Sequence, residues 1–492
     1  MTLTSCRRLR EQLADPALLR EAAYLAGGWV DPDNRAGITV TDPADGTILG
    51  SVPALTRADA ERAVDIADAA FPAWAGLSPG DRADLLAAWH QLILDHAEDL
   101  ALIMTYEQGK PISEARGEIS YGAGFVGYYA KEARDLNGVL PAPSFDGVAI
   151  DVWREPVGVA ALITPWNFPS AMLTRKAAAA LAAGCTFVAC PSAETPFSAL
   201  AVTELAHRAG FPAGVFNVVT GHAPDLVPAW TDELRVRALS FTGSTEVGRL
   251  LFRQSAETVK TIAMELGGHA PFLVFDDANL DHAVDCAISA KFATSGQDCL
   301  AVNRFLIHAS IYEAFCQRFT ERVAALSVGP GIDDPDIGPL INRKAMDKQA
   351  THVADALAKG ARCLVGGGPH PAGDLFFAPT VLVDVPANAR ILHEETFGPV
   401  AAFTPFSDED EAVRRANASE YGLIAYLHTQ DEDRIDRITR ALQYGMLAIN
   451  RTEITGAEIP FGGVKQSGIG REGTRLGMEA FTEIKYVCKR AS

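Results

Sequence analysis

Hydrophobic and polar positions along the chain change their period several times. Residues 1–20 read as a polar helical lead-in. From Tyr24 to Val52, turn residues at Asp31-Pro-Asp33 and Asp42-Pro-Ala-Asp-Gly46 break short apolar runs, which predicts β-hairpins. Across 57–133 the spacing is helical, most clearly in 83–94. Strand-like and helix-like runs then alternate. The first block predicts strands at 157–163, 186–189, 215–219 and 239–242, with helices at 171–183, 196–209 and 246–255. A second places strands at 272–275 and 303–308 and helices at 280–294 and 311–326. A third runs from a helix at 345–359 through strands at 381–385 and 421–429 to a closing run at 444–450. Such alternation predicts an α/β fold with parallel sheets and helices on both faces.

Bulk properties narrow the function. The 492 residues suffice for two or three structural units. A net charge of −19 argues against nucleic acid, whose phosphates attract a basic surface, and gives no reason to expect an anionic membrane. No run of 18 apolar residues occurs, and the N-terminus has no apolar core of a signal peptide. The eight cysteines show no CxxC pair and no cluster with His, so a cytoplasmic protein with reduced thiols and no metal site is expected.

Four segments carry candidate chemistry. Cys299 follows a Gly-containing loop at the end of a predicted helix, where a thiol can be exposed, although buried cysteine is the commoner fate. Glu265 precedes Gly267-Gly268, a place for a carboxylate close to backbone; taken alone it reads more readily as a surface or capping residue. Asn167, between Pro165 and Pro169 after a buried strand, could donate to a developing oxyanion or simply sit in a rigid turn. Phe241-Thr-Gly-Ser-Thr245 follows a strand and opens a helix, a turn that can present N–H groups to phosphate. The GxGxxG match at 468–473 has no βαβ unit after it and is not a dinucleotide fingerprint.

Together, in order and spacing, these motifs resemble the aldehyde dehydrogenase superfamily, with succinate-semialdehyde dehydrogenases the nearest in pattern. The resemblance runs from about Tyr24 to Cys488. It also includes Glu107-Gln-Gly-Lys-Pro111, Thr195-Pro-Phe-Ser-Ala-Leu200, Glu394-Glu-Thr-Phe-Gly-Pro399 and Pro460-Phe-Gly-Gly463. It implies that Cys299 adds to the aldehyde to give a thiohemiacetal, that Asn167 and the Cys299 N–H hold the oxyanion, and that hydride passes to the nicotinamide. Glu265 would activate the water that hydrolyses the thioester, with Lys176 and Glu472 in a proton relay. The implied cofactor surround is Thr164, Trp166, Cys190, Ser192, Ala193, Gly243, Ser244, Glu395 and Phe397. The implied architecture is a cofactor domain from 1–136 and 156–265 and a catalytic domain from 266–455. A small β oligomerisation element would come from 137–155 and 475–492, giving a homodimer or homotetramer.

The sequence departs from the family pattern at several points. Cys190 and Ala193 stand where relatives hold the adenosine ribose or a 2′-phosphate, which favours NAD over NADP. They also motivate an alternative, a non-redox cysteine hydrolase or acyltransferase on the same scaffold. Arg175 fits a substrate-carboxylate clamp, but its usual partner position is Ala293. Asp298 precedes the nucleophile; facing the site, it would raise the Cys299 pKa and could receive a cation, and otherwise it points away or caps a turn. Arg451 and Thr455 fall in the loop expected at the substrate mouth, with the unusual Glu453 between them. The expected substrate is a small polar or carboxylated aldehyde.

Overall fold

The computed structural model describes residues 5–30, 37–136 and 146–490. The turn expected at Asp31–Asp33 and the first part of the expected oligomerisation element lie outside these residues.

Two sheets organise the chain. In the first, five parallel strands run Thr261–Glu265, Val236–Thr242, Val159–Ile163, Thr186–Cys190 and Phe216–Val218 in spatial order. Gly468–Ile469 caps one edge and the hairpin of Ala23–Leu25 and Gly28–Val30 the other, all antiparallel. In the second, Thr380–Val383, Val400–Phe406, Val302–His308, Ala270–Val274, Ile424–His428 and Met446–Ile449 are parallel, with Arg362–Val365 antiparallel at the edge. Two smaller antiparallel pairs stand apart: Gly37–Thr41 with Ile48–Pro53, and the long arm of Val148–Pro156 with Thr482–Arg490.

Local sequence explains the framework. Val159–Ile163 and Thr186–Cys190 are buried along their whole length, as expected for parallel strands covered on both faces. The helix Pro169–Ala183 begins with Pro at its first turn and stops at Gly184 in the left-handed conformation. Every residue in it is buried, because it lies between the sheet and the helix Ile112–Glu132. Its run of small alanines permits that close packing.

Some expectations shift. The helix expected over 280–294 ends at Phe292, and Thr294 and Ser295 turn into left-handed backbone at φ 51° and 57°. Glu114 receives the Thr294 N–H at 2.8 Å, while Ser295 Oγ exchanges hydrogen bonds with the backbone of Gly338. These contacts hold a strained loop that non-glycine residues seldom adopt. The strand Val400–Phe406 and the helices Glu409–Asn417 and Glu432–Ala441 were not anticipated. Among the described residues no helix is long and apolar enough to cross a membrane. The cysteines from Cys185 to Cys488 are free thiols.

Candidate active site

The carboxyl ends of the first sheet's strands face the second sheet across a cleft of about 940 Å3. Strand Val159–Ile163 delivers Asn167, strand Val236–Thr242 delivers Gly243 and Ser244, and strand Thr261–Glu265 delivers Glu265 itself. The second unit contributes Cys299 from the loop before Val302–His308, and Glu395 and Phe397 from the loop before Val400–Phe406.

Glu265 is buried at the end of a strand, so reading it alone as a surface or capping residue is corrected. Its Oε2 has no hydrogen-bond partner within the protein. Burial, then the charge of Glu472, push its carboxyl well above the ordinary range, against Arg175 and Lys176. Gly462 lets this carboxylate in: a Cβ there would meet Glu265 Oε1 at 2.7 Å, and its φ is 153°. Behind it, Glu472 pairs with Arg175 at 2.5 Å and with Lys176, whose Nζ also donates to Ser240 Oγ at 3.1 Å. Burial raises the Glu472 carboxyl, but the two cations outweigh it and hold it below its usual value.

Cys299 is half-buried in the cleft wall. Burial, then the carboxylates of Asp298 and Glu395, push its thiol well above the usual range; Arg175 opposes them. Asp298 does not point away: it both faces the site and caps a turn. It lines the cleft, and its Oδ1 receives the Leu300 N–H at 3.0 Å, capping the turn. Asn167 donates from Nδ2 to the Gln297 carbonyl at 3.1 Å, which ties it to the nucleophile loop.

A buried ion pair supports Asn167 that the sequence did not single out. Lys110 Nζ pairs with Glu118 at 2.6 Å and donates to the Asn167 carbonyl at 2.8 Å. Glu118 in turn receives the N–H groups of Ser170 and Ala171, each at 3.1 Å, at the start of the helix Pro169–Ala183. The motif containing Lys110 was visible, but nothing in it indicates that its partner lies eight residues on.

The far end of the cleft suits a dinucleotide. Thr242 lines it with its Oγ1 unbonded by the protein, and Thr164 Oγ1, likewise without a partner, lies just before the lining residues Pro165 and Trp166 in the chain. Ser244 lines the cleft and caps the helix Thr245–Ala256 by receiving the Val247 N–H at 3.4 Å, which sets the start of that helix beside the cleft. Glu395 receives the Gly268 N–H at 2.8 Å, and Phe397, at φ 53°, meets Trp166 edge-on at 5.5 Å between ring centres. Lys344 and Lys348 also line this end and had not been singled out. Cys190, in contrast, is buried among Ile163, Val188 and other apolar residues. Ser192 and Ala193 are half-buried in the following turn, where Ser192 Oγ receives the Glu194 N–H at 3.2 Å, and it is Glu194 that lines the cleft. At the substrate end, Arg175, Ala293, Glu453 and Thr455 line the wall, while Arg451 is exposed outside it.

The aldehyde dehydrogenase family model matches residues 29–487. The chain belongs to the aldehyde dehydrogenase family. Its class is therefore an NAD(P)-linked oxidoreductase, as the motifs implied. It is 49% identical to the NADP(+) succinate-semialdehyde dehydrogenase of Escherichia coli, over 97% of this chain and 99% of that one. It is 50% identical to the non-phosphorylating aspartate-semialdehyde dehydrogenase of Halomonas elongata, over 98% of each. The solved succinate-semialdehyde dehydrogenase of Burkholderia pseudomallei is 48% identical and superposes with a TM-score of 0.96, over 98% of this chain and 100% of that one.

Proposed function

We propose that this protein oxidises a small polar aldehyde of the semialdehyde type to its acid, with NAD or NADP, through a covalent bond to Cys299. The observation that carries the reading is one cleft holding a thiol, a buried carboxylate with an unbonded oxygen, and an amide fixed beside the thiol loop.

Each residue then has a task. The Cys299 thiolate attacks the aldehyde carbon and forms a thiohemiacetal. Asn167 Nδ2 and the Cys299 N–H receive the negative charge that develops on oxygen, a contribution of about 3–4 kcal/mol per donor in comparable sites. When bound, the dinucleotide supplies the hydride acceptor for collapse to the thioester. Its binders are Ser244 and the N–H groups after it, Glu395 for a ribose, Thr164 and Thr242 as buried hydroxyls, and Trp166 and Phe397 as flanking rings. Glu265 then takes a proton from the water that cleaves the thioester; a carboxylate raised by burial is the stronger base. The adjoining pair of Lys176 and Glu472 relays that proton.

The first sheet is the core of the cofactor domain (1–136 and 156–265) and the second that of the catalytic domain (266–455). The arm built from Val148–Pro156 and Thr482–Arg490 exposes Ile484, Tyr486 and Val487, which suits pairing of copies into a homodimer or homotetramer. The free thiols fit the cytoplasm. No observation favours the non-redox hydrolase or acyltransferase.

The test is absorbance at 340 nm with NAD or NADP over succinate semialdehyde, glutarate semialdehyde and a neutral aliphatic aldehyde. Reduction that disappears in Cys299→Ala supports the reading. No reduction with either dinucleotide, from a protein whose Cys299 still reacts with iodoacetamide, removes it.

A further inference from the structure

The substrate end of the cleft is short of free positive charge. Arg175 is its cation, and its guanidinium is already paired with Glu472 at 2.5 Å and contacts Tyr121 Oη at 3.3 Å. Lys110, the other cation that faces this region, is bound to Glu118. Against them stand the carboxylates of Glu114, Asp298 and Glu453, all at the cleft wall.

Asp298 is the hardest of these to explain by structure alone. Its hydrogen bond to the Leu300 N–H caps the turn, and an Asn or Ser side chain would do the same. What a carboxylate adds is charge. That charge lies next to Cys299 and opposes formation of the thiolate the reaction needs. It also works against Glu114, whose carboxyl burial pushes up to about 7 with Asp298 adding to the rise. A half-buried carboxylate that hinders the nucleophile, and whose own ionisation desolvation opposes, gains a purpose when a ligand brings the matching cation.

We propose that Asp298 selects an aldehyde bearing an ammonium group beside its carboxylate, an amino-acid semialdehyde, with the ammonium held at Asp298. This rests on the dehydrogenase reading above and names its substrate class. Arg175 lines the cleft with its Nε unbonded by the protein, so the substrate carboxylate is directed toward this guanidinium while the ammonium meets Asp298. Asp298 adjoins Cys299 in the chain, and both line the same cleft as Arg175, which places the two charges at its reacting end.

The experiment compares kcat/KM for 2-amino-4-oxobutanoate and 4-oxobutanoate, which differ only by the amino group, with butanal as a neutral aldehyde. The wild type should favour the amino compound, mainly through KM. A charge-assisted contact is worth about ten- to a hundredfold. Asp298→Asn should reduce the ratio by that factor, and Asp298→Glu should keep most of it. Because both aldehydes use the same thiol, a changed Cys299 pKa cancels from the ratio. A wild-type ratio near one, or a ratio unmoved in Asp298→Asn, overturns the proposal and leaves the dehydrogenase intact. Oxidation of butanal alone removes the semialdehyde reading and this proposal together; oxidation of none of the three removes the dehydrogenase reading as well.

Discussion

A Cβ placed on Gly268 would lie 2.4 Å from the carbonyl oxygen of Cys299. Both residues lie in the 266–455 unit, but Gly268 follows the strand that ends in Glu265 by three residues, so this contact sets how closely the general base's strand approaches the nucleophile loop. Any side chain at 268 must push Cys299 away. Gly268→Ala is therefore expected to lower kcat by about a hundredfold, the usual cost of misplacing a reacting group by roughly 1 Å. Steady-state kinetics beside a circular dichroism spectrum check this. A folded variant with wild-type kcat would mean that the loop yields without cost.

Asp298 sets the pH at which Cys299 reacts. Burial raises the thiol first and the Asp298 charge raises it further, so removing that charge lowers the thiol pKa. In Asp298→Asn, iodoacetamide labelling of Cys299 should reach half its maximal rate at a lower pH than in the wild type. Mass spectrometry of the labelled peptide gives the rates. An unchanged midpoint would show that the carboxylate does not act on the sulfur.

Glu265 and Glu472 should affect stability in opposite directions. Glu472 lies below its ordinary 4.5, so its pairing stabilises the fold above about pH 4.5 and is lost as pH falls through the depressed value. Glu472→Gln leaves Arg175 and Lys176 buried without their counter-charge, a loss of about 3–5 kcal/mol. Glu265 lies above its ordinary value, so its favourable contribution is full below about pH 4.5 and is lost as pH rises through the raised value. Glu265→Gln should then raise the thermal midpoint at pH 8 while abolishing turnover. Thermal unfolding of both variants at pH 5 and pH 8 decides the signs.

Periodicity located most elements of the first parallel sheet, because strands covered on both faces are continuous apolar runs such as Val159–Ile163. It failed where the pattern carries no such run. The helix Glu432–Ala441 is mostly charged, with Ile438 its one fully buried residue. The strand Thr261–Glu265 ends in a carboxylate that alternation alone would send to solvent. The motifs named Cys299, Asn167 and Glu265 as residues, but not the Lys110–Glu118 pair behind Asn167. That pair is formed by burial between a loop and a helix, and a single sequence does not show which charges are buried.

The dinucleotide preference follows from three neighbours at the adenosine end. Cys190 turns its sulfur into the apolar core, and Ala193 offers no polar side-chain atom. Glu194 lines the cleft and holds Asn342 Nδ2 at 3.0 Å. A 2′-phosphate placed near that carboxylate would meet like charge, although Lys344 lines the same end of the cleft. Lys348 is engaged with Glu395 and Glu394, which leaves Lys344 as the cation set against Glu194 at this end. NAD should therefore bind more tightly than NADP. Trp166 lies in the cleft against Phe397, so quenching of its fluorescence reports binding, and Trp166→Phe identifies that signal. Titration should give a lower Kd for NAD, and Glu194→Gln should narrow the gap by improving NADP. Equal affinity, or tighter NADP, would show that Lys344 outweighs Glu194 at the 2′-phosphate.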